Sequence, residues 1–256
     1  MTADILEVDN VHVRFGGIVA LDGVSFTMPE GKIVGLIGPN GAGKTTLFNC
    51  LSRLYVPTEG DIRFKGSTIL SSPPHHIADI GIGRTFQNLA LFSTMTVLEN
   101  VMVGGHSTTR SDFISNSIRL PWVRKEEAEL KERALDLIDY LGLSDVAYSI
   151  VGGLPFGTQK RVELARALAS DPELLLMDEP AGGLNHDELD ELGDVIKQIR
   201  DDRGVTVLLV EHHMGLVMSI SDKVVAIDFG RKISEGTTEE VQNDPEVIRA
   251  YLGTSS

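Results

Sequence analysis

Residues 38–46 read Gly-Pro-Asn-Gly-Ala-Gly-Lys-Thr-Thr, and this stretch decides the fold. It fits the pattern G-x-x-x-x-G-K-[ST], in which glycines let the backbone turn tightly so that several N–H groups point at one phosphate chain. Lys44 adds a point charge for the β- and γ-phosphates, and the Thr45 hydroxyl suits a magnesium ligand. The helix that follows would direct the positive end of its dipole at the same anion. The stretch therefore predicts a nucleotide-binding P-loop.

The flanking residues give this loop the setting that it needs. Residues 32–37, Lys-Ile-Val-Gly-Leu-Ile, form a short apolar run that predicts a buried strand, and residues 46–51 carry apolar side chains at helical spacing. A strand, a glycine-rich loop and a helix in this order distinguish a P-loop from a chance glycine-rich turn. The residues predicted to bind the nucleotide in this loop are Gly38, Pro39, Asn40, Gly41, Ala42, Gly43, Lys44, Thr45 and Thr46.

Composition limits the classes of protein to which the chain can belong. Its 256 residues are 42% hydrophobic, enough for one large domain or for a core with a subdomain. The net charge of −14 argues against nucleic-acid binding and against adhesion to anionic lipid by charge. With one cysteine, Cys50, the chain can form no internal disulfide, and we expect neither a signal peptide nor direct membrane insertion. Any association with a membrane should therefore go through a protein partner.

The order of predicted elements indicates an α/β protein. Residues 5–34 alternate apolar and polar side chains, as antiparallel strands do, and strand patterns fade from about residue 88. The later predicted elements are helices at 125–141, 158–169 and 187–200 and strands at 173–177, 205–210 and 223–228. A parallel sheet packed by helices is the natural core for this alternation.

A second chemical signal stands at residues 174–180, Leu-Leu-Leu-Met-Asp-Glu-Pro, where an apolar strand ends in two adjacent acids. Because side chains alternate along a strand, the two carboxylates point in different directions. Asp178 can then hold the Mg²⁺ shell, while Glu179 faces the γ-phosphate and orients or deprotonates an attacking water. Together with the P-loop, this pair predicts an ATP hydrolase with ATP and Mg²⁺ as cofactors.

With their flanking residues, these motifs resemble the ABC-type ATPases, the ATP-binding subunits of membrane transporters, over nearly the whole chain. Residues 151–161, Val-Gly-Gly-Leu-Pro-Phe-Gly-Thr-Gln-Lys-Arg, are similar to the ABC signature, which contacts ATP bound by an opposite subunit. Gln87 resembles the Q-loop glutamine, His212 the switch histidine, and Phe15 the aromatic residue that stacks on adenine. The roles that the resemblance implies are catalysis for Glu179, His212 and Gln87, metal binding for Thr45, Gln87 and Asp178, and ATP binding for Phe15, Gly157 and Thr158.

The signature departs from the Leu-Ser-Gly-Gly-Gln that is usual in the family. Residues 154–158 read Leu-Pro-Phe-Gly-Thr, and Pro155 offers neither the serine hydroxyl nor an N–H. Proline nevertheless suits the first turn of a helix, so Gly157 and the helix dipole can still face the phosphate. The D-loop, Gly-Gly-Leu-Asn at 182–185, likewise ends in Asn185 where aspartate is common. We expect ATP to hold two copies of this chain together only weakly.

The resemblance implies a P-loop NTPase fold of the ABC ATPase type. This is an α/β fold with a RecA-like parallel-sheet core, an N-terminal antiparallel β subdomain and an inserted α-helical subdomain, in a single domain over residues 1–256. The β-rich front and P-loop core would occupy residues 1–87, the helical subdomain about 88–160, and the continued core 161–256.

The resemblance also implies partners at the cytoplasmic face of the cell membrane: permease subunits, a second ATPase subunit that is the same or a related chain, and indirectly an extracytoplasmic solute-binding protein. Residues 84–87 (Arg-Thr-Phe-Gln), the loop near 105–122, the Glu-His pair before Met214 and residues 250–253 (Ala-Tyr-Leu-Gly) are most similar to ATPases of branched-chain amino acid importers. Importers of urea or amides and exporters of lipopolysaccharide remain alternatives.

Two other classes fit parts of the pattern. A P-loop kinase for a small molecule would share residues 38–46, but it would need neither Gly157 ahead of a helix nor Glu179 after Asp178. A soluble ABC protein acting on DNA or ribosomes usually carries a long coiled coil or two fused ATPase units, and neither is predicted here. Release of phosphate without a phosphorylated acceptor would argue against the kinase, and co-purification with permeases would argue against the soluble protein.

Overall fold

The computed structural model describes residues 3–85, 89–108 and 121–252. The strands of these residues are Asp4–Phe15 (β1), Ile18–Pro29 (β2), Ile33–Ile37 (β3), Glu59–Phe64 (β4), Ser67–Thr68 (β5), Ile82–Arg84 (β6), Leu174–Asp178 (β7), Thr206–Val210 (β8), Lys223–Asp228 (β9) and Arg231–Gly236 (β10). Their α-helices are Lys44–Leu51 (α1), Val97–Gly104 (α2), Pro121–Tyr140 (α3), Phe156–Leu168 (α4), His186–Arg203 (α5), Met214–Ile220 (α6), Thr238–Gln242 (α7) and Pro245–Leu252 (α8).

Two sheets organise these elements. The first is antiparallel with the order β2-β1-β4-β5. The second has the order β10-β9-β3-β8-β7-β6 and is parallel from β9 to β6, with β10 antiparallel at one edge. The predicted fold class, an α/β P-loop protein with a parallel-sheet core and an N-terminal antiparallel sheet, is therefore confirmed. The division of the chain near residues 87 and 160 stays a prediction.

The predicted helices and later strands agree closely with the structure. Helices 125–141, 158–169 and 187–200 correspond to α3, α4 and α5 with ends shifted by at most four residues, and the three later strands are shifted by at most one. Sequence patterns missed β5, β6, β10 and α2, as well as the two C-terminal helices. β6 has three residues, which is too short for a periodic signal, and β10 is the polar edge strand Arg-Lys-Ile-Ser-Glu-Gly.

The central strands β3, β7 and β8 are buried along their whole length, so their side chains alternate between two hydrophobic cores. Along β3, Val34 and Leu36 enter one core, where Phe48 of α1 meets the antiparallel sheet. Ile33 and Ile37 enter the other core, which holds apolar side chains of α4, α5 and α6. The P-loop helix is thus enclosed between the two sheets, and its position is fixed by packing on both sides.

Helices α2, α3 and α4 pack together on the second core, with α2 in contact with both of the others. The first turn of α2 is closed by a capping box, in which Thr96 accepts a hydrogen bond from the Glu99 amide while the Glu99 carboxylate accepts one from the Thr96 amide. Within the described ranges, no helix is both long and apolar enough to cross a bilayer.

Gly104, the last residue of α2, permits a close approach to α4, because a Cβ at this position would lie 2.0 Å from the carbonyl oxygen of Arg166. Gly104→Ala should therefore lower the free energy of unfolding by about 1–3 kcal/mol. Gly215→Ala in α6 is the matched control, since among the described residues outside its own helix backbone and its chain neighbours no atom lies within 4 Å of the place that its added methyl group would take. The change should be neutral or stabilising by up to ~1 kcal/mol. Urea unfolding measures both, and equal midpoints for the two variants would contradict the close helix approach.

Candidate functional site

The site lies where three neighbouring parallel strands end. β3 leads into the loop at 38–43, β7 ends at Asp178 and is followed by Glu179, and β8 is followed by Glu211 and His212. The three strands are adjacent in the order β3-β8-β7, so their carboxyl ends meet at one edge of the sheet. The structure therefore brings together the P-loop, the acidic pair and the predicted switch histidine.

The backbone of the loop needs glycine at two crowded positions. Gly38 has φ +154°, and a Cβ there would lie 2.1 Å from the carbonyl oxygen of Ile227 in β9. Gly43 has φ +104°, and its Cβ would lie 2.6 Å from the carbonyl oxygen of Ala20 in β2. The loop is therefore held between the two sheets at a distance that only glycine allows.

Lys44 is buried at the start of α1, and its ammonium nitrogen donates hydrogen bonds to the carbonyl oxygens of Gly38 at 2.6 Å and Pro39 at 3.0 Å. Burial lowers the pKa of Lys44, while the nearby charges of Glu179 and Asp178 oppose that shift. The cation is thus stripped of much of its water and held inside its own loop. An anion bound in the loop would interact with it strongly.

Asp178 is 1% exposed, and only one of its carboxylate oxygens is occupied. Oδ2 accepts a hydrogen bond from Arg84 at 2.9 Å, whereas Oδ1 is buried without a hydrogen-bond partner among the described residues. Burial raises the pKa of Asp178, and the Arg84 guanidinium opposes the rise. The unpartnered oxygen marks a position where a cation or a bound water would be stabilised.

Glu179 has the left-handed backbone angle φ 51°, which is unusual for a residue other than glycine. Its amide donates to the carbonyl oxygen of Val210 at 2.9 Å, and its Oε1 lies 2.5 Å from Nε2 of His212. Backbone strain of this kind occurs at sites where the surrounding structure holds a side chain in a fixed direction. Here the Glu179 carboxylate contacts the His212 imidazole.

Phe15 ends β1 with a ring that is 46% exposed, as a side chain that stacks on a ligand requires. The Phe15 and Tyr55 rings form a T-shaped pair with the ring centroids 5.2 Å apart and the planes at 71°. This T-shaped pair restricts the orientation of the Phe15 ring, while nearly half of the residue stays exposed.

The signature residues begin α4, apart from the P-loop. The helix starts at Phe156, two residues before its predicted start, with Pro155 as the N-cap residue and Gly157 and Thr158 in the first turn. Gly157 and Thr158 border a cavity of about 300 Å³ together with Glu188 of α5. The first turn of α4 therefore packs beside α5 of the same chain.

Asn185 of the D-loop has a structural role in this chain. Its side chain accepts a hydrogen bond from the Glu188 amide at 3.0 Å, and the Glu188 carboxylate accepts one from the Asn185 amide at 2.9 Å. This is a capping box at the start of α5, a role that asparagine fills as well as aspartate. Gln87 lies outside the described residues, so its predicted place at the site stays a prediction.

Arg84 is a site residue that the sequence patterns did not single out. Besides Asp178, it donates to Asn49 of α1 at 3.0 Å and to Ser52, the residue after α1, at 2.9 Å, and its guanidinium carbon lies 5.7 Å from the centre of the Phe48 ring. It therefore ties the helix after the P-loop to the acidic strand end. The motif Gly-Arg-Thr-Phe-Gln at residues 83–87 contributes to the family resemblance, but it predicts no role for Arg84 itself.

Tyr251 is a second such residue, and it ties α8 to the beginning of the P-loop. Its hydroxyl oxygen accepts a hydrogen bond from the Gly38 amide at 2.8 Å, across 213 positions of the chain. Burial raises the pKa of the Tyr251 phenol. The ring also borders an apolar cavity of about 400 Å³ between α8 and α6, where Met214 and Met218 lie.

A model of the ABC transporter family matches residues 21–182, more than half of the chain. The chain belongs to the ABC transporter family. This ABC ATPase is an ATP-hydrolysing, ATP-binding subunit of a membrane transporter, as its motifs predicted. A second model, for the branched-chain amino acid ATP-binding cassette transporter, matches residues 231–255, which include Tyr251.

Relatives match this ABC ATPase from end to end. The high-affinity branched-chain amino acid transport ATP-binding protein BraF of Pseudomonas aeruginosa is 45% identical, and LivG of Escherichia coli K12, of the same description, is 41% identical, with 99% of each chain covered. The crystal structure of the ADP conformation of MJ1267, an ATP-binding cassette of an ABC transporter, has a TM-score of 0.86 and 32% identity over 98% of this chain and 100% of that one. The resemblance stated from the motifs is thereby confirmed.

Tyr251→Phe should lower the free energy of unfolding by about 1 kcal/mol, because the Gly38 amide loses its acceptor while the ring is kept. Tyr148→Phe is the matched control. Tyr148 is 68% exposed, so removing its hydroxyl should change the free energy of unfolding by less than about 0.5 kcal/mol. Guanidinium unfolding of both variants gives the comparison. Equal stabilities would mean that the hydrogen bond does not hold α8 on the P-loop.

Proposed function

We propose that this ABC ATPase drives the import of branched-chain amino acids, docked on permease subunits at the cytoplasmic face of the membrane. The observation that carries the chemistry is the contact of Glu179 with His212 beside the buried Lys44. The solute is proposed from the relatives, which are named as branched-chain amino acid transport ATP-binding proteins over nearly their full length. Urea or amide import and lipopolysaccharide export are the competing assignments.

ATP would bind with its phosphates in the P-loop and its adenine against Phe15. Phe15 is exposed and so accessible to a stacking base, and the amides from Gly41 to Thr46 lie at or next to the start of α1. Lys44 would exchange its hydrogen bonds to Gly38 and Pro39 for the β- and γ-phosphates. Burial makes that exchange favourable, because a charge with little water around it gains most from an anion.

A Mg²⁺ ion fits the oxygen donors of this site. Asp178 has one buried carboxylate oxygen without a partner among the described residues, and the exposed Thr45 lies in the first turn of α1 at the end of the P-loop. Carboxylate and hydroxyl oxygens are the donors that Mg²⁺ prefers, and Gln87 is the third proposed ligand. When bound, the metal would neutralise charge on the β- and γ-phosphates.

Glu179 is the proposed general base for hydrolysis. Its carboxylate would take a proton from water as the water oxygen attacks the γ-phosphorus, and the bond to the β-phosphate oxygen would break to leave ADP and phosphate. The Nε2–H tautomer of His212 would donate to Glu179 and hold it toward the water. The left-handed backbone of Glu179 sets this direction before the nucleotide arrives.

A second ATPase subunit, either the same chain or a related one, would complete the site. Gly157 and Thr158 begin a helix that is apart from their own P-loop, so their amides and the Thr158 hydroxyl would face the γ-phosphate of the partner subunit. Pro155 supplies no hydroxyl there. We infer that a partner ATPase with a serine in this position would close the other site more firmly.

The segments that precede α2 and α4 offer an apolar surface for the permeases. Val151 donates to the Met95 carbonyl at 3.0 Å and Thr96 pairs with Ile150, which brings two exposed segments side by side. The exposed apolar side chains of these segments and their neighbours are Phe92, Met95, Tyr148 and Ile150. Such a patch suits a protein partner rather than solvent. A solute-binding protein on the other side of the membrane would act only through the permeases.

The proposed function is tested with the ATPase purified in complex with its permeases and solute-binding protein. In the complex, Lys44→Ala should lose most ATP affinity, because the phosphates lose their nearest cation.

Glu179→Gln should keep ATP affinity within about twofold but lower kcat by at least ~100-fold, because the amide cannot accept the proton. Labelled ATP and phosphate release measure the two quantities.

The same complex in vesicles decides the solute. Leucine, isoleucine or valine with the binding protein should stimulate phosphate release and accumulate in the lumen, and urea should do neither. Stimulation by urea alone would reassign the solute and leave the ATPase roles intact. Near-normal hydrolysis by Glu179→Gln would instead remove Glu179 from the proposed base role.

Pro155→Ser should strengthen the ATP-dependent association of two copies in the Glu179→Gln background. One added hydroxyl can donate to the γ-phosphate of the opposite subunit, and a hydrogen bond to a charged group contributes roughly 1.5–3 kcal/mol. Sedimentation with Mg-ATP measures the association of the two forms. Weaker or equal association of the serine form would show that Thr158 already supplies the hydroxyl or that closure does not depend on it.

A further inference from the structure

Glu211 is a buried carboxylate that neither the P-loop nor the predicted catalytic residues use. It is 2% exposed and follows β8 directly. Its Oε1 accepts a hydrogen bond from the Ala181 amide at 2.6 Å, and its Oε2 accepts from the amides of His212 at 2.9 Å and His213 at 3.3 Å. One side chain is thus bonded to backbone N–H groups of two separate loops.

These two loops are the ones that carry the proposed catalytic pair. Ala181 stands two residues after Glu179 and leads into the D-loop, while His212 and His213 lead into α6. The backbone ladder between β7 and β8 ends at the pair Asp178–Val210, followed by one more bond from the Glu179 amide to Val210. Beyond that point the described residues form no strand pairing between β7 and β8, and the Glu211 carboxylate connects the two loops that follow these strands.

The chemistry of a carboxylate suits this position better than that of an amide. An ionised carboxylate offers only acceptors, so it can take three N–H donors at once with charge-assisted strength. The buried charge is tolerated because each oxygen is hydrogen-bonded. Glutamine would present an NH₂ group to one of these donors, and aspartate would be one methylene too short to reach both loops.

The D-loop also touches the signature of the same chain. Gly183 has φ +84°, and a Cβ there would lie 2.9 Å from the ring of Phe156, the second residue after Leu154 in the signature. The aromatic ring therefore packs directly on the D-loop backbone. A displacement of the signature helix would press on Gly183, and Ala181, two residues earlier, is held by Glu211.

We propose that Glu211 is a positioning residue that couples the D-loop to the Glu179–His212 pair. The chain of contacts begins where Phe156 packs on Gly183 and follows the D-loop backbone to Ala181. The Glu211 carboxylate then joins Ala181 to the backbone amides of His212 and His213. Movement of the signature helix thereby alters the direction of the base and the histidine without contact to the nucleotide. The inference rests on the proposed roles of Glu179 and His212.

Glu211→Gln and Glu211→Asp test this coupling in the full transporter complex. Both variants should bind labelled ATP within about twofold of the unaltered protein, while kcat falls by at least ~10-fold, because the base and histidine lose their fixed direction and the phosphate contacts remain. Amide hydrogen exchange, followed by NMR on the isolated full chain, should become faster at Ala181, His212 and His213. Glu173→Gln is the control. Glu173 is exposed and forms a salt bridge with Lys65, so its substitution should leave kcat and the amide exchange rates unchanged.

Each other outcome counts against the coupling. An unchanged kcat in folded Glu211→Gln would overturn it, and so would a parallel loss of kcat and ATP affinity, which indicates general damage to the site. If neither variant folds, Glu211 is a structural residue and the coupling is rejected. An unaltered protein that does not hydrolyse ATP would overturn the proposed function itself, whereas an active protein with equally active Glu211 variants overturns the coupling alone.

Discussion

The register of β3, β8 and β7 is the constraint on which the site depends. Leu36 pairs with Val210, and Val210 pairs with Asp178, so the three strands end at the same level of the sheet. The P-loop, the loop that carries His212 and the acidic pair therefore leave the sheet side by side. A shift of one residue in either pairing would turn alternate side chains to the opposite core and move the catalytic loops apart. The two dry cores on the faces of these strands oppose such a shift.

Charge at this edge of the sheet is arranged for a ligand. Lys44 is held by two carbonyl oxygens, and Asp178 is held by Arg84 through one oxygen only. Both charged groups are buried, so leaving part of their hydrogen-bonding capacity unused costs free energy. A bound phosphate chain and its cation would supply the missing partners of both groups. Glu179 and His212 are already in contact. Binding would therefore need little rearrangement of the Glu179–His212 contact.

The sequence by itself determined the motifs whose function depends on neighbours along the chain. The P-loop at 38–46 follows from glycine spacing, and the acids at 178 and 179 follow from an apolar strand that ends in two carboxylates. The fold class followed from those motifs together with the order of strand and helix patterns. The start of α4 was predicted two residues late, because Pro155 is an N-cap without a side-chain bond and gives no capping signal.

Only the tertiary structure decided which residues support those motifs. Arg84 meets Asp178 across 94 positions, Glu211 meets Ala181 across 30, and Tyr251 meets Gly38 across 213. Periodicity and local spacing carry no information about such pairs, since each depends on how the sheet order brings distant strands together. The sequence thus determined the chemical groups that are proposed to meet the nucleotide, because their spacing is local. The fold decided how those groups are held, because hydrogen bonds between remote loops form only after the strands have paired.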